Sequence, residues 1–134
     1  MQTEIKIYNI TDLIKKTVVG ELDLEASLRV ARDTAHIASL NKNSSILLDL
    51  RNTTVHLPGG FQDTMKIALE FTMNLLETNN RFAALIPDDG QRLLVANQLK
   101  ACLQVKGIRY EIFTEFEKAM EWLSDSKTVV SARQ

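Results

Sequence analysis

The segment after the third predicted strand contains the densest group of residues that could bind a ligand. Residues 53–60 read Thr-Thr-Val-His-Leu-Pro-Gly-Gly, so hydroxyls, an imidazole and two glycines lie close together. Glycines let a backbone approach a ligand closely, and a helix that begins at Phe61 would present free N–H groups to an anion. The alternative is that Pro58 and the glycines only shape a loop and cap a helix. The predicted ligand or partner site in this region comprises Thr53, Thr54, His56, Gly59, Gly60 and Thr64.

Asp49 and His56 would carry the alternative function, that of a small enzyme. Asp49 lies between Leu48 and Leu50 in an apolar run, where a buried carboxylate can become a perturbed acid. A carboxylate there can equally serve the fold by accepting hydrogen bonds from the loop that follows, and this is the role we expect. No nucleophile motif accompanies the pair, so no catalytic residue is predicted.

Metal and cofactor sites are not predicted. Neither His36 nor His56 has Asp, Glu or Cys at metal-ligand spacing, and no glycine-rich nucleotide motif is present.

Composition narrows the classes of function. The 134 residues carry 16 Lys and Arg against 17 Asp and Glu, a net charge of −1, which gives no field to attract nucleic acid or an anionic membrane. No apolar run approaches the ~20 residues of a membrane span, and the N-terminus lacks the pattern of a signal peptide. Cys102, the only cysteine, suits a reducing compartment. A cytoplasmic location is therefore expected.

The pattern of apolar residues predicts the elements that must position these side chains. Alternation or short apolar runs predict strands, and helical spacing with capping residues predicts helices. The order indicates an α/β fold, a mixed sheet of about five strands flanked by about four helices, with an opening hairpin and later strands parallel. The predicted strands are at about 4–7, 13–19, 45–50, 82–86 and 110–113, and the predicted helices at about 24–40, 61–78, 91–105 and 115–123. Asp23 is expected to cap the first helix and Thr114 the last, and Gly107 to end the third, whose Val95, Leu99 and Cys102 face inward. The first helix has two apolar stripes, and either can be its buried face.

The helix predicted at 61–78 has more apolar residues than one face can hold. Phe61, Met65 and Leu69 form a stripe that we expect to be buried, whereas Ile67 and Phe71 lie on its flank. The flank is either covered by neighbouring helices or free for a partner. Our hypothesis is the second, with a dimer of this chain as the simplest case, because an isologous patch needs no other protein.

Three stretches together resemble the STAS family, the anti-sigma-factor antagonists, and within it the single-domain SpoIIAA-like branch related to lipid-binding Sec14 domains. They are Val18-Val19-Gly20-Glu21-Leu22-Asp23, Ile46-Leu47-Leu48-Asp49-Leu50 and the segment 113–123, FTEFEKAMEWL. The resemblance implies a SpoIIAA-like fold over residues 1–124, followed by a tail at 125–134 that is expected to fray. It also implies a non-catalytic regulatory or binding module that docks a protein partner, or a small apolar or anionic ligand, near residues 53–71.

One departure from the family pattern concerns its phosphorylation switch. Leu57-Pro58-Gly59-Gly60 stands where switching members carry Asp-Ser-Ser-Gly, and Pro58, which has no hydroxyl, occupies the place of the phospho-acceptor. We therefore predict a module without the usual phospho-serine switch, with Thr53, Thr54 and Thr64 as the nearest substitutes.

Overall fold

The computed structural model describes residues 2–10, 12–75, 79–124 and 126–133. Strands and helices alternate along most of the chain, which makes the protein α/β. The elements in chain order are β1 Gln2–Asn9, β2 Leu13–Leu22, α1 Leu24–Leu40, β3 Ser45–Val55, α2 Phe61–Asn74, β4 Arg81–Leu85, α3 Gly90–Val105, β5 Arg109–Phe113, α4 Phe116–Leu123 and β6 Ser126–Arg133.

The main sheet has four parallel strands in the order β2-β3-β4-β5. A helix follows each of its first three strands and returns the chain to the same edge, which is what a parallel pair requires. β3 and β4 are therefore central, and Leu47, Ala83 and Leu85 are completely buried. The prediction that the strand at 45–50 is central and parallel to the later strands is confirmed.

The first strand differs from the prediction. β1 does not form a hairpin with β2 but pairs antiparallel with β6, so that Gln2 lies opposite Arg133. The main sheet is consequently four-stranded and all parallel, not a mixed sheet of about five strands. The segment 126–133, expected to be a frayed tail, supplies the partner of β1, in keeping with its β-branched run at 128–130.

Helices cover both faces of the sheet. On one face, α1, α2 and α3 pack against side chains such as Ile46, Leu48 and Phe82. On the other face, α4 places Ala119 and Leu123 against Leu47, Ala83 and Leu85. The apolar runs of β3 and β4 are buried because each alternate side chain meets a different layer of helices.

The buried face of α1 is the one that carries its small residues. Two apolar stripes of α1 were candidates for its buried face. The structure buries Ala31, Ala35 and Ala38 and leaves Leu40 exposed. Asp23 caps the helix as predicted, with its carboxylate accepting the Ala26 N–H at 2.8 Å. Small side chains allow α1 to approach α2 and the sheet closely.

Two predicted helix ends need correction. α4 begins at Phe116 with Glu115 as its N-cap residue and no side-chain capping bond, so Thr114 does not cap it. α2 ends at Asn74 rather than near residue 78, because Leu75 already has extended backbone angles. Residues 76–78 of the predicted helix lie outside the described residues.

Candidate functional site

β3 continues five residues beyond its predicted end, and this changes the setting of the first two predicted site residues. Thr53 and Thr54 lie in the strand, not in a loop. Thr17 pairs with Asp49 but Val19 pairs with Asn52, so β3 contains one extra residue between these two pairs. Such a bulge changes which face the following side chains occupy. Thr53 and Val55 therefore face the same helices as Leu48 and Leu50.

The bulge brings Thr53 onto Arg92 of α3. The Arg92 guanidinium donates to the Thr53 carbonyl at 3.0 Å and to the Thr53 hydroxyl oxygen at 2.7 Å. That hydroxyl in turn donates to the Leu50 carbonyl at 2.7 Å, inside the bulge. Thr53 is buried, so it holds the arginine in place and does not itself present a group to solvent.

Arg92 is a buried cation that lacks an anion. Its exposed fraction is 9%, and no carboxylate among the described residues forms an ion pair with it. Burial lowers the pKa of Arg92, with Tyr110 and Asp89 acting weakly in the opposite direction, yet an arginine remains charged at physiological pH. Two of its five N–H donors bind Thr53, so three remain for another group.

The Arg92 guanidinium lines a cleft at the carboxyl edge of the parallel strands. The cleft has a volume of about 500 Å³ and is bounded by the end of β3, the turn after β4 and the start of α3. Asp89 caps α3 by accepting the Gln91 N–H at 2.9 Å. This edge is where open α/β sheets bind ligands. The charged residues that line it are Arg51, Asp89 and Arg92.

An apolar cavity of about 100 Å³ lies on the inner side of Arg92. Side chains of α1, α2, α3 and the sheet line it, and Val55, Leu57, Arg92 and Val95 line both the cavity and the cleft. Its few polar groups are the Arg92 guanidinium, the Tyr110 phenol and the hydroxyls of Ser27 and Thr34. Burial raises the pKa of Tyr110 to about 12, so its hydroxyl is a hydrogen-bond donor at neutral pH.

The loop that precedes α2 does not form the predicted anion site. The buried carboxylate of Asp63 turns back and accepts the Gly59 N–H at 2.8 Å. Gly60 adopts φ +61° as the N-cap residue, and a Cβ on Gly59 would overlap Asp63. The start of α2 is thus occupied by a carboxylate of the chain itself, and the glycines shape the loop and its cap. His56 is exposed beside this loop.

Thr64, Ile67 and Phe71 belong to the interior, not to a surface. Thr64 is 2% exposed, and Phe71 is 4% exposed with its ring edge-on to Phe82 at 5.0 Å. The hypothesis that Ile67 and Phe71 form a free partner surface is therefore wrong, because α1 and α3 cover this side of α2. The expected buried stripe of Phe61, Met65 and Leu69 is instead exposed, and the exposed Met73 continues it.

Asp49 and His56 do not converge. The Asp49 carboxylate receives both Nε and Nη2 of Arg51, at 2.9 and 2.7 Å, and Lys15 lies 3.9 Å away. The hydrogen bonds from Arg51 lower the pKa of Asp49 despite its burial. His56 lies seven residues further along, roughly 20 Å in an extended strand. Asp49 is an ion-paired group of β3, not at the strand end as expected.

Arg92 is the residue that sequence reasoning missed. It occupies the same helical stripe as Val95, Leu99 and Cys102, which was correctly expected to face inward. A lone cation on an apolar stripe is the signal that could have identified it, because charged side chains are seldom buried without a partner.

The described residues contain no group of three or more His, Cys, Asp or Glu arranged to hold a metal ion. Within the same part of the chain, no helix has the length and apolar character needed to cross a membrane.

Comparison with family models, with curated proteins and with solved structures yields no match for this chain.

Proposed function

We propose that the protein is a non-catalytic regulatory or binding module of the STAS type that takes a small ligand with an anionic group at the carboxyl edge of its sheet. Arg92 is the observation that carries the proposal. A cation that is nine-tenths buried and has no carboxylate partner is unfavourable unless an anion neutralises it. The cleft beside Arg92 gives such an anion a route from solvent.

The position of the ligand differs in detail from the first expectation. The predicted region was the segment 53–71, and its contribution is now the end of β3, where Thr53 holds Arg92 and Thr54 lines the cleft. The start of α2 contributes less, since Asp63 already occupies it.

A module without the usual phospho-serine switch is part of the proposal. Pro58 supplies no hydroxyl, and both Thr53 and Thr64 are buried, so a kinase would reach neither without local unfolding. Thr54 is exposed and is the nearest accessible hydroxyl.

The alternative, a small enzyme, is less favoured. Asp49 is ion-paired with Arg51 and lies far from His56, so the two groups supply no shared acid–base centre.

Anion binding can be tested by nuclear magnetic resonance with butyrate and inorganic phosphate as separate probes, at constant ionic strength. We expect saturable shifts of the Thr53 and Arg92 backbone amides in the wild type. Arg92→Met should abolish them, whereas Arg29→Met, which removes an exposed arginine on α1, should retain them. Neither probe binding to the wild type, or equal binding to Arg92→Met, would contradict the proposal.

Self-association is a second candidate property, favoured by the exposed apolar row of α2. Phe61, Met65, Leu69 and Met73 recur every four residues and so form a continuous strip on one side of the helix. A second copy of the chain would cover this strip with its own. Sedimentation of the wild type against Leu69→Lys tests it, and a wild type that is monomeric at high concentration would rule it out.

A further inference from the structure

We propose that the apolar cavity behind Arg92 is the subsite for an alkyl group of the same ligand, and that the ligand is a short-chain carboxylic acid. This inference rests on the proposed function, because it assumes that an anion binds Arg92. It goes further in naming the chemistry of the ligand and the group that determines its selection.

The shape of the site divides the ligand into two parts. Val55, Leu57, Arg92 and Val95 line both the cleft and the cavity, so one molecule can contact both spaces. The cleft is the polar side, with access to solvent. The cavity is almost entirely apolar, so its occupant must be a hydrocarbon group.

The charge of Arg92 selects the head group of the ligand. Arg92 keeps three N–H donors after binding Thr53, and it lines both the cleft and the cavity. A carboxylate supplies two acceptor oxygens and one negative charge, and a guanidinium group suits it well.

The volume of the cavity limits the size of the alkyl group. An engineered apolar cavity of roughly 150 Å³ takes up benzene, so a cavity of about 100 Å³ fits an alkyl group of roughly three or four carbons. Longer chains would have to displace packed side chains of α1 or α3. Linear fatty acids of membrane-lipid length are therefore excluded from this cavity.

The experiment measures the affinity of a carboxylate series, namely acetate, propionate, butyrate, isovalerate and octanoate, by the same resonance shifts. In the wild type we expect affinity to rise about fourfold for each methylene buried, up to isovalerate, and to fall for octanoate. Acetate defines the affinity of the head alone.

A cavity-filling variant separates the two proposals. Ala96→Leu adds bulk to the cavity wall one helical turn beyond Arg92 and keeps the guanidinium, so it should remove the dependence on chain length while acetate binding stays within about twofold of the wild type. Ala101→Leu, at an exposed position of the same helix, should behave as the wild type. Ala96→Val serves if the larger residue impairs folding.

The outcomes are distinct. Equal affinities for acetate and isovalerate, or an unchanged series in a folded Ala96 variant, would overturn the alkyl subsite while the anion site stands. Failure of every carboxylate to bind while inorganic phosphate binds would overturn the carboxylic-acid ligand and leave the anion site standing. No binding of any carboxylate or of phosphate to the wild type, or equal binding to Arg92→Met, would overturn both.

Discussion

At the scale of single residues, Thr53 is a link between the strand and the proposed ligand site. Its hydroxyl accepts from Arg92 and donates to the Leu50 carbonyl, so one oxygen ties the bulge to α3. The side chain is buried, and neither contact can be replaced by water without opening the cleft wall. Thr53 therefore positions Arg92 rather than binding ligand.

Replacing Thr53 with valine tests this role, because valine has nearly the same shape and no hydroxyl. We expect a loss of about 1–3 kcal/mol in the free energy of unfolding, since one guanidinium donor and the Leu50 carbonyl lose their partner. Urea denaturation gives the measurement. Thr53→Ser keeps the hydroxyl and should lose less. Equal losses in the two variants would mean that the methyl group, not the hydroxyl, matters.

Asp49 makes stability depend on pH. Hydrogen bonds from Arg51 hold the pKa of Asp49 below its usual 3.8 in the folded protein. A carboxylate with a lowered pKa stabilises the folded state above its unfolded pKa, and this contribution is lost as the pH falls through the folded value. The advantage of the wild type over Asp49→Asn should therefore be full at pH 6 and shrink as the pH falls below about 4. Chemical denaturation at several pH values measures it, and Arg51→Met should show the same trend. A constant difference would contradict the assignment.

At the scale of elements, α2 shows how a correct helix can have its buried face misassigned. Amphipathic patterning favoured the row of larger residues, Phe61, Met65 and Leu69, yet α2 turns its Ile67–Ala68 side inward. The contacts with α1 explain this choice, because Ala68 and the alanines of α1 allow the two helices to lie close together. Pair packing of this kind depends on residues distant in sequence, so periodicity alone could not identify it.

The two sides of α2 should respond very differently to truncation. Phe71→Ala removes a ring packed against Phe82 and should cost about 3–5 kcal/mol in unfolding free energy. Leu69→Ala, on the exposed side of the same helix, should change it by less than about 0.5 kcal/mol in the monomer. Thermal melting of both variants at low concentration is the test. Similar losses in the two would contradict the buried face described here.

Local signals were reliable where the chemistry was local. Asp23 predicted the start of α1, Gly107 the end of α3 and the apolar runs β3 and β4, whereas Thr114 does not cap α4. The bulge in β3 could not be foreseen, because it appears only in the register against β2. The site depends on that register, since Thr53 would otherwise face away from Arg92. This is why the region of the candidate site was predicted while its central residue was not.

At the scale of the whole molecule, the cavity makes the fold less stable than it would be with a filled interior. An apolar cavity costs about 24 cal/mol for each Å³, so 100 Å³ corresponds to about 2 kcal/mol. That is a substantial part of the roughly 5–15 kcal/mol by which a domain of this kind is stable. A chain selected only for stability would fill this space, which is consistent with a use for it.

The same cavity adds to the volume of the folded state, so hydrostatic pressure should favour unfolding. Unfolding admits water to the space, and 100 Å³ per molecule corresponds to about 60 mL/mol of lost volume, within the range that drives pressure unfolding. Fluorescence of the single tryptophan, Trp122, can follow the transition under compression. Ala96→Leu, or saturation with a fitting carboxylate, should make the volume change of unfolding markedly smaller. If the volume change of unfolding stays the same, the void does not persist in solution. Compression would thus show whether the interior is empty before any ligand is known.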